Sequence, residues 1–271
     1  MGIQFECYSD DRGRRAYSLM QPFFHHLRGG GAGVISPSDI SGLAAWHRAD
    51  LGVTTSASKV TSWLDQSGNG NTASNGASLG PTVTSANATF NNKATLNFAQ
   101  SGTKYLQWVS QAFVGMSTGA HAFFVFNVAA DPPATTAHTG FCNLGDSSDA
   151  LQGTYMTFTD GVIYDDMFRS AAIGFRTVGN PTPSLTAASL YEVISTSSEW
   201  TAKVNGTQLY TTATNTFADR TSGKLLGVDG TSTRFMDGSV AEIIFYNAKL
   251  STANRSALVE YINDRYATTY V

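Results

Sequence analysis

The stretch WLDQSGNGN, residues 63–71, sets two glycines, two asparagines, a serine and an aspartate behind a tryptophan. Such a composition suits two kinds of chemistry, phosphate cradling and calcium chelation. A phosphate loop needs Gly-Lys-Ser/Thr after its glycines, and none follows here. Asp65, Ser67 and Asn69 match the first alternating oxygen ligands of an EF-hand loop, and Gly70 the glycine after them. The bidentate glutamate of such a loop would fall at residue 76, which is Gly76. A side-chain Asx turn with glycines at positive φ explains the same composition without an ion. The expectation is that Asp65 accepts hydrogen bonds from the backbone N–H groups of residues 67–70 and that no cofactor is bound. Calcium at Asp65, Ser67 and Asn69 is the second reading.

The other chemistry-bearing residues point away from catalysis. GMSTG, residues 115–119, matches G-x-S-x-G. A nucleophile elbow needs a helix after the serine, whereas the strand-like run HAFFVFNV follows, so the stretch reads as a turn. A glycosidase needs a pair of carboxylates, and glutamate occurs only at Glu6, Glu192, Glu199, Glu242 and Glu260. Asp165 and Asp166 are adjacent and would face opposite sides of a strand. Glu242, flanked by apolar residues in VAEIIFY, reads as a buried ion-pair partner. His25 and His26 suit surface packing better than metal. Cys7 and Cys142 sit in no C-x-x-C pair, which argues against zinc. NAT, NGT and NRS (87–89, 205–207 and 254–256) match the glycosylation sequon, but residues 1–28 contain no apolar signal-peptide core, so they read as chance matches. Exposed aromatics near loops commonly bind sugars, which makes Trp46, Trp63, Trp108 and Trp200 candidate glycan contacts, with a core role as the default for each.

Beyond residue 34, alternating apolar segments separated by turn residues predict strands at 121–128, 190–196, 224–228 and 240–246. Residues 154–164 predict two strands about Asp160-Gly161. Residues 199–211 predict a hairpin, with Trp200, Ala202 and Val204 on one face and a type I′ turn at Asn205-Gly206. One helix is predicted from a cap at Ser251 or Thr252 to about Tyr266, with Leu258, Tyr261, Ile262 and Tyr266 on its apolar face. Many short strands imply a two-sheet antiparallel sandwich or a barrel.

The 271 residues fit one large sandwich domain, over residues 34–271, preceded by an arm and glycine hinge over 1–33. Charged residues make up only 14% and the net charge is −3, which argues against nucleic-acid binding. No apolar run is long enough to insert in a membrane. The arm interleaves Arg12, Arg14, Arg15 and Arg28 with Phe5, Tyr8, Tyr17, Phe23 and Phe24, and GGGAG follows at 29–33. Arginine and aromatics are enriched in interface cores. Two readings stay open for the arm: docking on a larger assembly, or folding back on its own domain.

Three stretches taken in order carry a resemblance: ISGLAAWHRADLGV (40–53) leading into VTSWLDQSGNGN (60–71), KVNGTQLY (203–210), and GSVAEIIFYNAKLSTANRSALVEYINDRYA (238–267). Together they resemble the concanavalin A-like lectin/glucanase superfamily. They are most similar to the laminin-G-like and pentraxin-like domains of bacterial secreted proteins and phage virion proteins. The resemblance implies a jelly-roll sandwich with a terminal strand and helix. Glucanases of the superfamily carry E-x-D-x-E or E-x-D-x-x-E on one strand. This chain has neither, so no catalytic residue is carried over and no enzyme is expected. An arginine-aromatic arm, a glycine hinge and one such domain resemble a phage structural protein at the virion surface. That is the first expectation for function: a capsid decoration, tail or spike component, multi-copy and in contact with other virion proteins. A lectin-like module for cell-surface glycans is the alternative, and a glycan hydrolase the third. On the first reading, deleting residues 1–33 leaves the melting transition of the sandwich nearly unchanged and abolishes binding to assembled particles. Co-sedimentation checks this, and full-strength binding by the truncated chain would place the docking surface on the sandwich.

Overall fold

The computed structural model describes residues 8–9, 15–16, 35–76, 78–100, 104–108, 113, 115–130, 140–145, 153–169, 175–219, 223–229 and 234–271. The chain divides into two compact units, Met1–Gly33 and Val34–Val271. In the first unit, β1 (Tyr8–Ser9) pairs with β2 (Arg15–Ala16). The arm residues Phe5, Arg12, Arg14, Tyr17, Phe23, Phe24 and Arg28 lie outside the described residues, as does Cys7.

The second unit is a sandwich of two antiparallel sheets. The eight-stranded sheet contains β3 (Leu43–Arg48), β7 (Thr82–Asn87), β8 (Lys93–Phe98), β10 (Gly119–Val128), β15 (Ser189–Thr196), β16 (Glu199–Val204), β17 (Thr207–Thr212) and β19 (Gly238–Tyr246). Its order is β17-β16-β15-β10-β19-β8-β7, and β3 also pairs with β19. The nine-stranded sheet contains β4 (Val53–Ser56), β5 (Lys59–Trp63), β6 (Ala73–Ser74), β9 (Leu106–Trp108), β11 (Gly140–Asn143), β12 (Gly153–Tyr155), β13 (Ile163–Asp165), β14 (Arg176–Gly179) and β18 (Leu225–Leu226). Its order is β14-β13-β12-β11-β18-β9-β6-β5-β4. The expected hairpin is β16–β17. Both residues of its two-residue turn take positive φ, +50° at Asn205 and +83° at Gly206, which matches the strand twist.

The layers explain why β10 does not alternate polar with apolar. Phe124 and Phe126 face the inner core with Tyr191, Trp200 and Phe245, opposite Trp63, Trp108 and Phe141 of the other sheet. Phe123 and Val125 face the other way, into a second core with Ile244 and Tyr246. The cover on that side is α1 (Thr252–Tyr266), which buries Leu258, Val259, Ile262 and Tyr266. Ser251 caps the helix by accepting a hydrogen bond from Asn254 N, and Ala267 ends it in the left-handed region.

A buried charge cluster docks this helix. Glu192 on β15 accepts two hydrogen bonds from Arg255 of α1, at 2.8 and 2.6 Å, and one from His121 Nε2 at 2.9 Å. Lys203 lies 3.4 Å away. Burial alone would raise the Glu192 carboxyl, but the bonds from His121 and Arg255 hold it down at about 2. Burial also lowers the His121 pKa. His121 Nδ1 accepts from Leu250 N, so the ring is neutral and carries its proton on Nε2.

The WLDQSGNGN loop joins the two sheets. Asp65 Oδ1 accepts from Trp46 N and Ser67 N, both at 2.9 Å; Oδ2 accepts from Ser67 Oγ at 2.7 Å and Asn71 N at 2.9 Å. The expected acceptance from residues 67–70 is seen at Ser67 and extends to Asn71 and across to β3. Asn69 and Asn71 donate side-chain N–H groups to Ala44 O, at 3.0 and 2.7 Å, and Trp63 Nε1 donates to Arg48 O at 2.8 Å. The loop after β5 of one sheet is thereby bonded along β3 of the other.

Three outcomes follow. Arg255→Met strands the buried Glu192 charge and lowers unfolding free energy by about 3–5 kcal/mol in denaturant melts. A loss below about 1 kcal/mol would mean that His121 and Lys203 suffice. Asp65→Ala orphans three backbone donors and costs about 2–4 kcal/mol. The wild-type melt is the same in EDTA as in calcium, and chelator-sensitive melting restored by calcium would put an ion at Asp65, Ser67 and Asn69.

Candidate functional site

The carboxylates best placed by sequence for acid–base chemistry are enclosed by their own donors. Glu242 on β19 is fully buried and accepts from Trp46 Nε1 at 2.6 Å, Tyr261 OH at 2.9 Å and Tyr266 OH at 2.7 Å. Burial pushes its carboxyl up despite these donors and the nearby Arg265. It anchors α1 to the sheet and reaches no opening. Asp165 is buried between the sheets, and burial raises it to about 6 against bonds from Tyr191 OH (2.6 Å), Met167 N (2.8 Å) and Thr154 Oγ1 (2.9 Å). Asp166 is also buried. In GMSTG, Gly115 has φ +76° and β10 begins at Gly119, so Ser117 lies in a turn between an inner-core residue and a strand. No group of three or more His, Cys, Asp or Glu that could hold a metal occurs among the described residues.

The four tryptophans take the core role that is the default for each and not that of glycan contacts. Trp63 and Trp200 have no exposed surface, Trp108 has 2% and Trp46 has 7%. Each indole N–H is turned inward: Trp46 to Glu242, Trp63 to Arg48 O, Trp108 to His47 Nε2 and Trp200 to Met167 O. Large apolar rings filling the space between sheets have no face left for a ligand. His47, tilted against Trp63 and edge-on to Trp108, is lowered to about 4 by burial and stays neutral.

Aromatic surface instead gathers on the outer face of the nine-stranded sheet. Thr154 and its partner Asp165 face the interior, so alternation puts Tyr155 and its partner Tyr164 outside. The Phe175 ring centroid lies 5.0 Å from Tyr155, Phe158 lies 5.7 Å from it, and Phe158 lies 5.4 Å from Tyr164, all edge to face. Residue 153 is a glycine beneath Phe175, where an added Cβ would come within 3.3 Å of the ring. Arg234 closes the group, its guanidinium 5.5 Å from the Tyr155 centroid. These five residues line a cavity of about 410 Å³, inside the roughly 300–1,000 Å³ range of small-molecule pockets. A hollow of about 470 Å³ beside α1 is lined by polar side chains with Val259 and Tyr270, and its Arg255 already holds Glu192.

Sequence reasoning missed this pocket. Its residues come from two short strands and from segments up to 79 positions apart, joined by the Arg234–Tyr155 bond. The one local signal is the Tyr155–Tyr164 pair on the face opposite Thr154 and Asp165.

The chain matches no family model and no curated protein sequence. Among solved structures, it is similar to an arabinofuranosidase complexed with arabinofuranosyl-alpha-1,2-xylobiose, with a TM-score of 0.56 and 18% identity over 77% of this chain and 51% of that one. A Trypanosoma rangeli sialidase in complex with the inhibitor DANA gives a TM-score of 0.55 and 14% identity over 86% of this chain and 34% of that one. The binding domain of Paraclostridial Mosquitocidal Protein 1 gives 0.56 and 11%, over 84% and 53%. The chain thus spans about half or a third of the structures it matches, and at these identities the likeness is one of fold. It corrects the expectation that the protein is not an enzyme, because an arabinofuranosidase and a sialidase contain this fold. The missing glucanase pattern therefore does not set enzymes aside, and what the matched proteins share with this chain is a β-sandwich that recurs in glycan-active and binding proteins.

Proposed function

We propose that the sandwich is a glycan-recognition module and that its ligand sits in the Tyr155–Phe158–Tyr164–Phe175–Arg234 pocket. The observation that carries this reading is the pocket itself: four aromatic rings beside a guanidinium, on the face that α1 leaves uncovered. A pyranose has an apolar C–H face and a polar hydroxyl rim. Aromatic rings match the first, and fixed donors and acceptors match the second. Tyr155 OH, Tyr164 OH and Arg234 supply polar groups at the pocket. The similarity to an arabinofuranosidase, a sialidase and a binding domain supports this reading over the virion one. The virion reading rests on nine arm residues, seven of which lie outside those described.

A glycan array followed by calorimetry tests the proposal. Wild-type protein binds a defined sugar class, and Phe158→Ala and Phe175→Ala each weaken binding about tenfold, or ~1.4 kcal/mol, with little change in melting temperature. Binding at unchanged strength in both variants would move the site elsewhere. Assaying the same panel for released reducing ends reads hydrolysis directly.

A further inference from the structure

We propose that the pocket selects an acidic sugar, one bearing a carboxylate, and that Arg234 is the residue that grips it. The inference rests on the glycan reading above and adds to it the chemical class of ligand.

Arg234 is the charged residue of the pocket lining. Its guanidinium is held from one side. Nη1 donates to Tyr155 OH at 3.1 Å and to Asp229 Oδ2 at 3.3 Å, and the group lies against the Tyr155 ring. The backbone is held as well: Arg234 N donates to Asp229 Oδ1 at 3.1 Å, and Asp229 N donates to Arg234 O at 3.0 Å. Asp229 is 2% exposed, so this anchor is rigid. All of these contacts fall on Nη1 or the backbone. Nε and Nη2 have no partner among the described residues, and together they form the side edge of the guanidinium, two parallel donors that match the two oxygens of a carboxylate.

The nearby acids are already engaged. Asp229 holds Nη1 and the Arg234 backbone, and Asp160 accepts from Tyr164 OH at 2.9 Å and Val162 N at 3.0 Å. The arginine side chain is 38% exposed, and its Nε and Nη2 are not taken by any described acid. Because Asp229 and Tyr155 fix its position beforehand, little side-chain freedom is lost on binding. A neutral sugar would fill the aromatic wall but leave the fork unpaired, and a site built to pair a polar group discriminates against ligands that lack it.

Matched glycans and two variants test this. The probes are sialic-acid- and uronic-acid-bearing oligosaccharides, the same oligosaccharides after carboxyl reduction, and sulfated neutral ones. Carboxylated probes bind, and reduction weakens them by about tenfold to a hundredfold. Arg234→Gln gives a similar loss for the carboxylated probes alone. Arg234→Lys keeps the charge without the fork and recovers only part of the affinity. The ligand-side change keeps the test valid even if Arg234→Gln lowers stability. Equal binding of reduced and unreduced probes, with Phe158→Ala still harmful, would overturn the acidic-sugar assignment and leave the glycan site standing. Stronger binding of sulfated than carboxylated probes would assign the fork to sulfate and overturn it too. Binding indifferent to Phe158→Ala, or no binding to any probe, would remove the glycan site and this inference with it.

Discussion

Burying both faces of the eight-stranded sheet leaves β10 and β19 with no side toward water, and the rest of the architecture follows from that. Phe124, Phe126 and Phe245 need the nine-stranded sheet over them, and Phe123, Val125 and Ile244 need α1. The polar groups caught in the second layer then need internal partners. Glu192 and Glu242 are the outcome: each carboxylate is buried and each is matched by donors from the helix, Arg255 in one case and Tyr261 and Tyr266 in the other. With one outer face taken by the helix, the outer face of the nine-stranded sheet is where an open aromatic surface forms.

The elements that the sequence made legible are those whose signals are local. Ser251 and the Leu258–Ile262 spacing mark α1, and Asn205-Gly206 marks the hairpin, because a cap and a positive-φ turn depend on residues a few positions apart. Asp65 was legible for the same reason, since its Asx geometry spans residues 65–71. Its bond to Trp46 N was not, because only the fold brings β3 alongside. The tryptophans illustrate the opposite limit. Residue type says that an indole is a good sugar platform and an equally good core filler, and which of these it becomes depends on the direction it faces. The pocket was illegible because Tyr155, Phe175 and Arg234 share no motif, and the free edge of Arg234 is set by Asp229 through a turn.

The two buried glutamates show how a carboxylate among apolar residues can serve packing. Glu242, flanked by apolar residues, reads as a buried ion-pair partner; burial raises its carboxyl, and Arg265 Nε lies 3.6 Å from it. Three short hydrogen bonds from Trp46, Tyr261 and Tyr266 occupy its oxygens, so the raised carboxyl serves packing. Arg234 is the reverse case. It looks like an ordinary surface ion pair, yet the pairing uses one nitrogen, and Nε and Nη2 make no hydrogen bond among the described residues.

The place of β19 has a consequence for the order in which the fold can assemble. This strand lies in the interior of the eight-stranded sheet, between β10 on one side and β3 and β8 on the other, yet it is the last strand in the chain. The Trp46–Glu242 bond that crosses this junction spans 196 positions, whereas the Asp65–Trp46 bond spans 19. Short loops close at lower entropic cost than long ones, so contacts around the Asp65 loop and the β15–β16–β17 meander can form before residues 238–246 are available. Until then the β17–β16–β15–β10 segment, the β7–β8 pair and β3 are not joined to one another, and β10, β8 and β3 each lack a partner along one edge. Until residues 238–246 insert, those unpaired edges face the surroundings, and the insertion of β19 closes them together.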